Sequence, residues 1–316
     1  MSGFSLKKRL ININGIIIAL LVLIVIVSIG SNKFLSTSNI MNILRQASTL
    51  GIMACGATFV MVGGNIDLSI GSILSLCALM SCKLTAQNST MAILIPLAVG
   101  FACGAFNGLL VGKFRFNPFI ATLGTLAVFQ ALAFFYSDGK FLNATQNNFY
   151  KQIGQGFFYK VPIPVIILIA VFLIFLYLLG RTVFGRQVFA VGGNPECARF
   201  SGISYAKTTI LTYALSGLCA SISAIIFVSR QMAAQPQMGA GYEFDVITAI
   251  VLGGVALSGG KGTIWGAILG VLFIGILKNA FILLGIPLYY QYIVMGVILI
   301  LAVGIDVISE GKTKNA

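Results

Sequence analysis

Apolar residues recur along this chain in runs too long and too unbroken for the core of a water-soluble domain. A helix needs about 20 residues to cross about 30 Å of hydrocarbon. Runs of that order lie near 13–31, 46–63, 68–86, 91–112, 117–136, 162–180, 208–229, 243–259, 263–285 and 289–308. The pattern predicts an all-α integral membrane protein, a single domain over residues 1–316 with about ten transmembrane helices. The second and third runs meet at Gly63-Gly64-Asn65, and the eighth and ninth at Ser258-Gly259-Gly260-Lys261-Gly262, so either pair can be a broken or re-entrant helix. The first run follows Lys7-Lys8-Arg9, exceeds the apolar segment of a signal peptide and is followed by no A-x-A-like site, which predicts a retained anchor.

Composition sharpens this. Hydrophobic residues make up 58% of the 316 and charged ones only 9%, where soluble domains carry about a quarter. The net charge of +13 does not mark a nucleic-acid surface, because the basic residues are dispersed in the gaps between apolar runs. Their placement orients the chain instead. Lys7, Lys8, Arg9, Lys113, Arg115, Arg181, Arg186, Arg199, Lys207, Lys261, Lys312 and Lys314 fall on one side, with both termini. Lys33, Arg45, Lys83, Lys140, Lys151, Lys160 and Arg230 fall on the other. The richer side is expected to be cytoplasmic.

The sequence holds no histidine, which removes His-based triads, His–Glu zinc motifs and His proton relays. The six cysteines form no C-x-x-C pair, so neither a zinc site nor a disulfide framework is indicated, and no metal is expected. A loose internal repeat links Val62-Gly63-Gly64 through Ser72-Ile73 to Leu252-Gly253-Gly254 through Thr263-Ile264, predicting two loosely repeated halves with a transport pathway near their interface.

The longest polar interruption on the cytoplasmic side is 181–207, RTVFGRQVFAVGGNPECARFSGISYAK. Gly192-Gly193 permits a sharp turn, Asn194 suits an N-cap and Pro195 the first helical position. Glu196 then faces the positive end of the helix dipole, Arg199 falls in the last turn, and Gly202 can close the helix in a left-handed conformation. These signals predict a short helix over about 195–201. Two turns are unstable alone, so the helix either docks on its own membrane helices to order the loop or acts as a lever toward a cytoplasmic partner.

Gly185-Arg186, Ala190-Val191-Gly192-Gly193-Asn194, Ala198-Arg199 and Ser201-Gly202-Ile203 together resemble the coupling region of the permease subunits of bacterial monosaccharide ABC importers. The likeness continues through Gly64-Asn65-Ile66-Asp67-Leu68-Ser69, Phe119-Ile120-Ala121-Thr122-Leu123-Gly124, Ala234-Gln235-Pro236, Gly241-Tyr242-Glu243-Phe244-Asp245 and Gly259-Gly260-Lys261-Gly262. It implies a homodimer in the bacterial cytoplasmic membrane importing ribose or a similar sugar. Cytoplasmic ATP-binding subunits would hold ATP and magnesium, and an extracytoplasmic binding protein would deliver the sugar. Coupling to the ATPase then falls to Gly192, Gly193, Asn194, Glu196, Arg199 and Gly202. No cofactor is expected on this chain: around Gly260-Lys261 a phosphate-binding loop would need Gly at Val255 and Ser or Thr at Gly262.

Polar residues within the spans are candidates for the sugar pathway: Asn65, Asp67, Ser69, Asn107, Thr122, Thr248, Lys278 and Asn279, with Ser72, Thr125 and Gln130 as further members. Asp67 can instead cap a helix beginning at Leu68. Glu243 and Asp245 fit a helix start. Lys278 can snorkel to the headgroups or face a polar cavity with Asn279. An ion-coupled secondary transporter is the alternative function; it would want a mid-membrane carboxylate, and Asp67 sits beside a turn.

Overall fold

The computed structural model describes residues 2–314, although the side chains of the terminal stretches, Asp306 among them, lie outside what is described. Thirteen helices follow one another among these residues. They are α1 (Ser2–Gly30), α2 (Thr37–Val62), α3 (Ile70–Leu84), α4 (Ser89–Gly112), α5 (Pro118–Ser137), α6 (Asn148–Gln155), α7 (Ile163–Arg181), α8 (Val183–Gly193), α9 (Pro195–Phe200), α10 (Tyr205–Gln231), α11 (Tyr242–Leu252), α12 (Ile264–Leu283) and α13 (Leu288–Lys314). Two antiparallel ribbons join loops, β1 (Leu142–Asn143) with β4 (Ala233–Ala234) and β2 (Phe157–Phe158) with β3 (Val161–Pro162). Short polar caps set the helix starts, as where Asn117 Oδ1 accepts from Phe119 N at 3.0 Å and Thr263 Oγ1 from Gly266 N at 3.0 Å.

Six helices, α2, α4, α5, α7, α10 and α12, are long and apolar enough to cross a bilayer. Shorter apolar stretches occupy Gly15–Gly30, Ile70–Leu84 and Leu288–Gly304. Two expected spans need correction. The run at 68–86 becomes helical only from Ile70, and the run at 243–259 stops being helical after Leu252. At 1.5 Å per residue α11 is about 17 Å long, short of a full crossing. The cause is the same local chemistry at both places. Gly64 and Gly254 take left-handed conformations (φ 77° and 81°), which end the preceding helices. Asn65 N donates to Val60 O and Val255 N to Ile250 O, each at 3.1 Å, closing matching six-residue helix ends.

The centre of the bundle is α10, packed against α2, α3 and α4. Along α4, Gly100, Gly104, Gly108 and Gly112 recur every fourth residue and form one stripe. A side chain at Gly104 would overlap the Tyr213 carbonyl oxygen, and one at Gly108 would come within 2.5 Å of Ile210 Cα. Small residues let the two backbones meet, the main attraction available between helices in lipid. Pro96 within α4 cannot donate to Ala92 O, and Ser81 Oγ of α3 supplies that bond instead at 2.6 Å. The hydroxyl of fully buried Tyr150 lies 2.6 Å from the same Ser81 Oγ and thereby fastens α6 to the bundle. Burial holds the Tyr150 phenol well above its ordinary range.

If backbone contact on the α4 stripe holds the bundle, Gly104→Val destabilises it by at least the ~1–3 kcal/mol typical of overpacking. Gly180→Ala, where a methyl group meets nothing within 4 Å, leaves stability nearly unchanged. Thermal unfolding of the two variants in detergent compares them directly, and equal midpoints would contradict the packing assignment.

Candidate functional site

Between α2 and α3 the chain runs non-helically from Asn65 to Ser69 while remaining largely buried. Irregular backbone inside a membrane bundle survives only where neighbouring groups satisfy it. Ile66 O accepts from Tyr213 Oη of α10 at 2.8 Å and from Thr122 Oγ1 of α5 at 3.5 Å. Asn65 Oδ1 accepts from Tyr205 Oη at 3.3 Å. Asp67 Oδ1 accepts from Ser69 N at 3.0 Å and from Ser69 Oγ at 2.7 Å, and its Oδ2 from Ser216 Oγ of α10 at 2.9 Å. Asn107 Nδ2 of α4 donates to Ser69 Oγ at 2.7 Å. The Ser69 and Ser216 donors end on the carboxylate, as an acceptor-only group requires, and Asn107 reaches it through Ser69. Asn107 Oδ1 is buried without a partner.

Asp67 therefore does more than the expected cap. It closes a turn onto Ser69, the helix begins at Ile70 rather than Leu68, and its second oxygen ties the break to α10. Of the eight pathway candidates, Asn65, Asp67, Ser69, Asn107 and Thr122 share this network. The other three lie elsewhere. Thr248 Oγ1 donates back to Phe244 O at 2.6 Å within α11. Asn279 of α12 exchanges amide bonds with Asn39 of α2 at 2.9 and 2.8 Å. Lys278 of α12 forms an ion pair with Asp245 of α11 and lies 5.7 Å from the centre of the Tyr242 ring. Lys278 is thus paired across helices rather than snorkelling alone or sharing a cavity with Asn279. Glu243, read as a helix-start residue, accepts from Gly241 N at 3.2 Å and is buried beside Gly71. Ser216, Tyr213, Tyr205 and Asn39 were not among the expected site residues; Ser216 and Tyr213 signal only by a hydroxyl amid mostly apolar neighbours, and Tyr205 and Asn39 lie in polar stretches at helix starts that give no such signal.

A second arrangement joins three distant glycine pairs. Gly192 and Gly193 form the last turn of α8 and make no sharp turn, contrary to expectation. The chain bends one residue later, at extended Asn194 (φ −159°, ψ 106°). Gly192 is there for space, whereas a side chain on Gly193 would meet nothing within 4 Å. A side chain on Gly192 would overlap Val62 O, and one on Gly260 would come within 2.8 Å of Gly193 Cα. A side chain on Gly259 would reach Gly64 Cα at 2.5 Å. Gly260 N donates to Val62 O at 2.8 Å, satisfying a carbonyl at the end of α2.

Beyond this junction, Asn194 Oδ1 accepts from Glu196 N and Cys197 N, both at 3.0 Å, to start α9. Gly202 (φ 77°) closes it, with Ile203 N donating to Ala198 O at 2.9 Å. Glu196 and Arg199 are exposed, and Phe200 is 82% exposed. The segment 181–207, expected as a loop with one short helix, also contains α8, which Thr182 caps through Gly185 N at 3.1 Å. Its three glycines weaken the helical signal.

Six helices able to cross a membrane, gathered round a buried polar break, define a multi-pass membrane protein. Residues 39–303 match the family described as branched-chain amino acid transport system / permease component, and the chain belongs to that family. It is 40% identical over 295 residues to the ribose import permease protein RbsC of Bacillus subtilis (strain 168) and 43% identical over 295 residues to that of Escherichia coli (strain K12), with 92% of each chain covered in both cases. It is 37% identical over 300 residues to the L-arabinose ABC transporter permease protein AraH of Azospirillum brasilense, covering 94% of this chain and 88% of that one. No solved structure matches it.

Removing one partner of this half-buried ion pair leaves the other uncompensated, whereas neutralising both avoids that cost. Lys278→Met is therefore expected to lower the thermal midpoint, and Lys278→Met with Asp245→Asn to recover most of the loss. A double variant as unstable as the single one would refute the pairing.

Proposed function

We propose that this chain is the membrane subunit of an ATP-driven importer of a monosaccharide, ribose or a similar sugar. It works as a homodimer in the bacterial cytoplasmic membrane, with both termini inside and about ten passes, the one that contains α11 being completed by the non-helical segment that follows Leu252. The resemblance of its relatives supports the cargo, since they are ribose and L-arabinose permeases by name. The chain itself is not catalytic. ATP and magnesium belong to cytoplasmic ATP-binding subunits, and an extracytoplasmic binding protein delivers the sugar.

The observation that carries the reading is α9, a capped and exposed helix whose base is locked, through Gly192 and Gly193, to the ends of two broken helices. The ATP-binding subunits grip α9 by Glu196, Arg199 and Phe200. Because α8 has no side-chain cushion at Val62 O, a displacement of α9 carries the 63–69 and 253–263 segments with it as one body. The first of these holds Asp67, so the motion reaches the polar network among α3, α4 and α10. Sugar passes beside that network and along the interface between two loosely repeated halves, a relation supported by the matching turns at Gly64 and Gly254.

Uptake in intact cells is expected to collapse when ATP is depleted with the ion gradient held constant. Uptake that persists under those conditions would favour an ion-coupled carrier and overturn the proposal. Asn194→Pro removes the cap of α9 and the Asn194 N–H bond to Ala190 O. In proteoliposomes with the ATP-binding subunits it should insert normally, leave ATP hydrolysis running and cut uptake by at least tenfold. Glu196→Lys should do the same; normal uptake in both would refute the lever.

A further inference from the structure

At the end of the bundle opposite α9, the first turns of α2 and the β2–β3 hairpin enclose an open cavity of about 590 Å³. Its lining includes Thr37, Ser38, Asn42, Arg45, Tyr159 and Lys160. Two of these are cations, and neither has a carboxylate partner: among the described residues the ion pair is Lys278 with Asp245. The Arg45 guanidinium carbon lies 4.5 Å from the centre of the Phe157 ring, which fixes its side chain against the hairpin. Arg45 Nε is buried with no hydrogen-bond partner. The two cations on the cavity wall have no carboxylate to balance them, and an anion in the cavity would supply that charge.

The surroundings identify that anion. Phe157, Phe158 and Tyr159 are consecutive, and all are exposed, Tyr159 by 90%. They stand directly before the apolar helix α7, where aromatic side chains settle at the level of lipid headgroups. Met41 and Phe157 add apolar lining beside the cations. A phosphodiester carried on acyl chains matches all three features: its charge faces Arg45 and Lys160, its hydroxyl-rich end meets Thr37, Ser38 and Asn42, and its chains run down the bundle surface. A guanidinium binds phosphate oxygens through paired N–H donors, and basic pockets between membrane helices hold anionic headgroups. We propose that this cavity is a binding site for an anionic phospholipid of the phosphatidylglycerol type. A zwitterionic headgroup fits poorly, because its ammonium would approach two cations.

Native mass spectrometry of the purified protein, equilibrated with an equal mixture of phosphatidylglycerol and phosphatidylcholine, tests the site. The wild type should retain phosphatidylglycerol preferentially. Arg45→Gln with Lys160→Gln should lose that preference, while Arg45→Lys with Lys160→Arg should keep it. Lys160 is exposed, so Lys160→Gln alone should fold and show a partial loss even if the double variant does not. An undiminished preference in Lys160→Gln and in the double neutral variant would overturn the proposal. So would full displacement of the lipid by glycerol phosphate lacking acyl chains, which would mark a site for a free anion. Loss of binding-protein capture by the neutral variants with the lipid preference intact would also overturn it, in favour of a protein-docking surface.

Discussion

The carbonyl oxygen of Val62 is the point on which the α9 end of the molecule depends. It ends α2, accepts Gly260 N from the turn before α12, and lies against Gly192 from the last turn of α8. Three segments far apart in sequence meet there backbone to backbone, with no side chain between them. Side chains in a packed interface can change rotamer and absorb a displacement; main chains in contact cannot. A junction of this kind transmits motion with little loss, which suits the proposed coupling to a separate ATP-binding subunit.

The polar break between α2 and α3 is the complement of that rigidity. A helix carried straight through Gly63–Ser69 would satisfy its own backbone and need nothing from its neighbours. By breaking, the chain hands Ile66 O, Asp67 and Asn65 to α5 and α10. Asn107 Oδ1 is buried with no hydrogen-bond partner among the described residues, at the place where α3, α4 and α10 converge.

Much of this was legible locally. The apolar runs mark where the membrane helices lie, and Asn194-Pro195 and Gly202 are start and stop signals between which α9 forms. Features set by distant partners were not legible. Gly192-Gly193 looks like a turn because glycine usually makes one; only Val62 and Gly260, brought near by the fold, reveal a demand for space at Gly192. Lys278 finds Asp245 across helices, and Asn279, one residue on and therefore on another face, finds Asn39 240 positions away. The glycine stripe on α4 was present in the sequence at regular spacing, yet it needed α10 to show which face it served.

In the proposed mechanism α8, α9 and the turns at Gly64 and Gly260 move as one body. Cys197 is exposed on α9, and Lys261 is exposed beside Gly260. Spin labels at Cys197 and at Lys261→Cys in only one protomer of the proposed dimer, assembled with the ATP-binding subunits proposed above, report the distance between α9 and the turn by pulsed electron resonance. One narrow distance distribution is expected, staying in place between the nucleotide-free and vanadate-trapped states. A second population, or a shift of the distribution on trapping, would show that the lever slides over the turn and would contradict that mechanism.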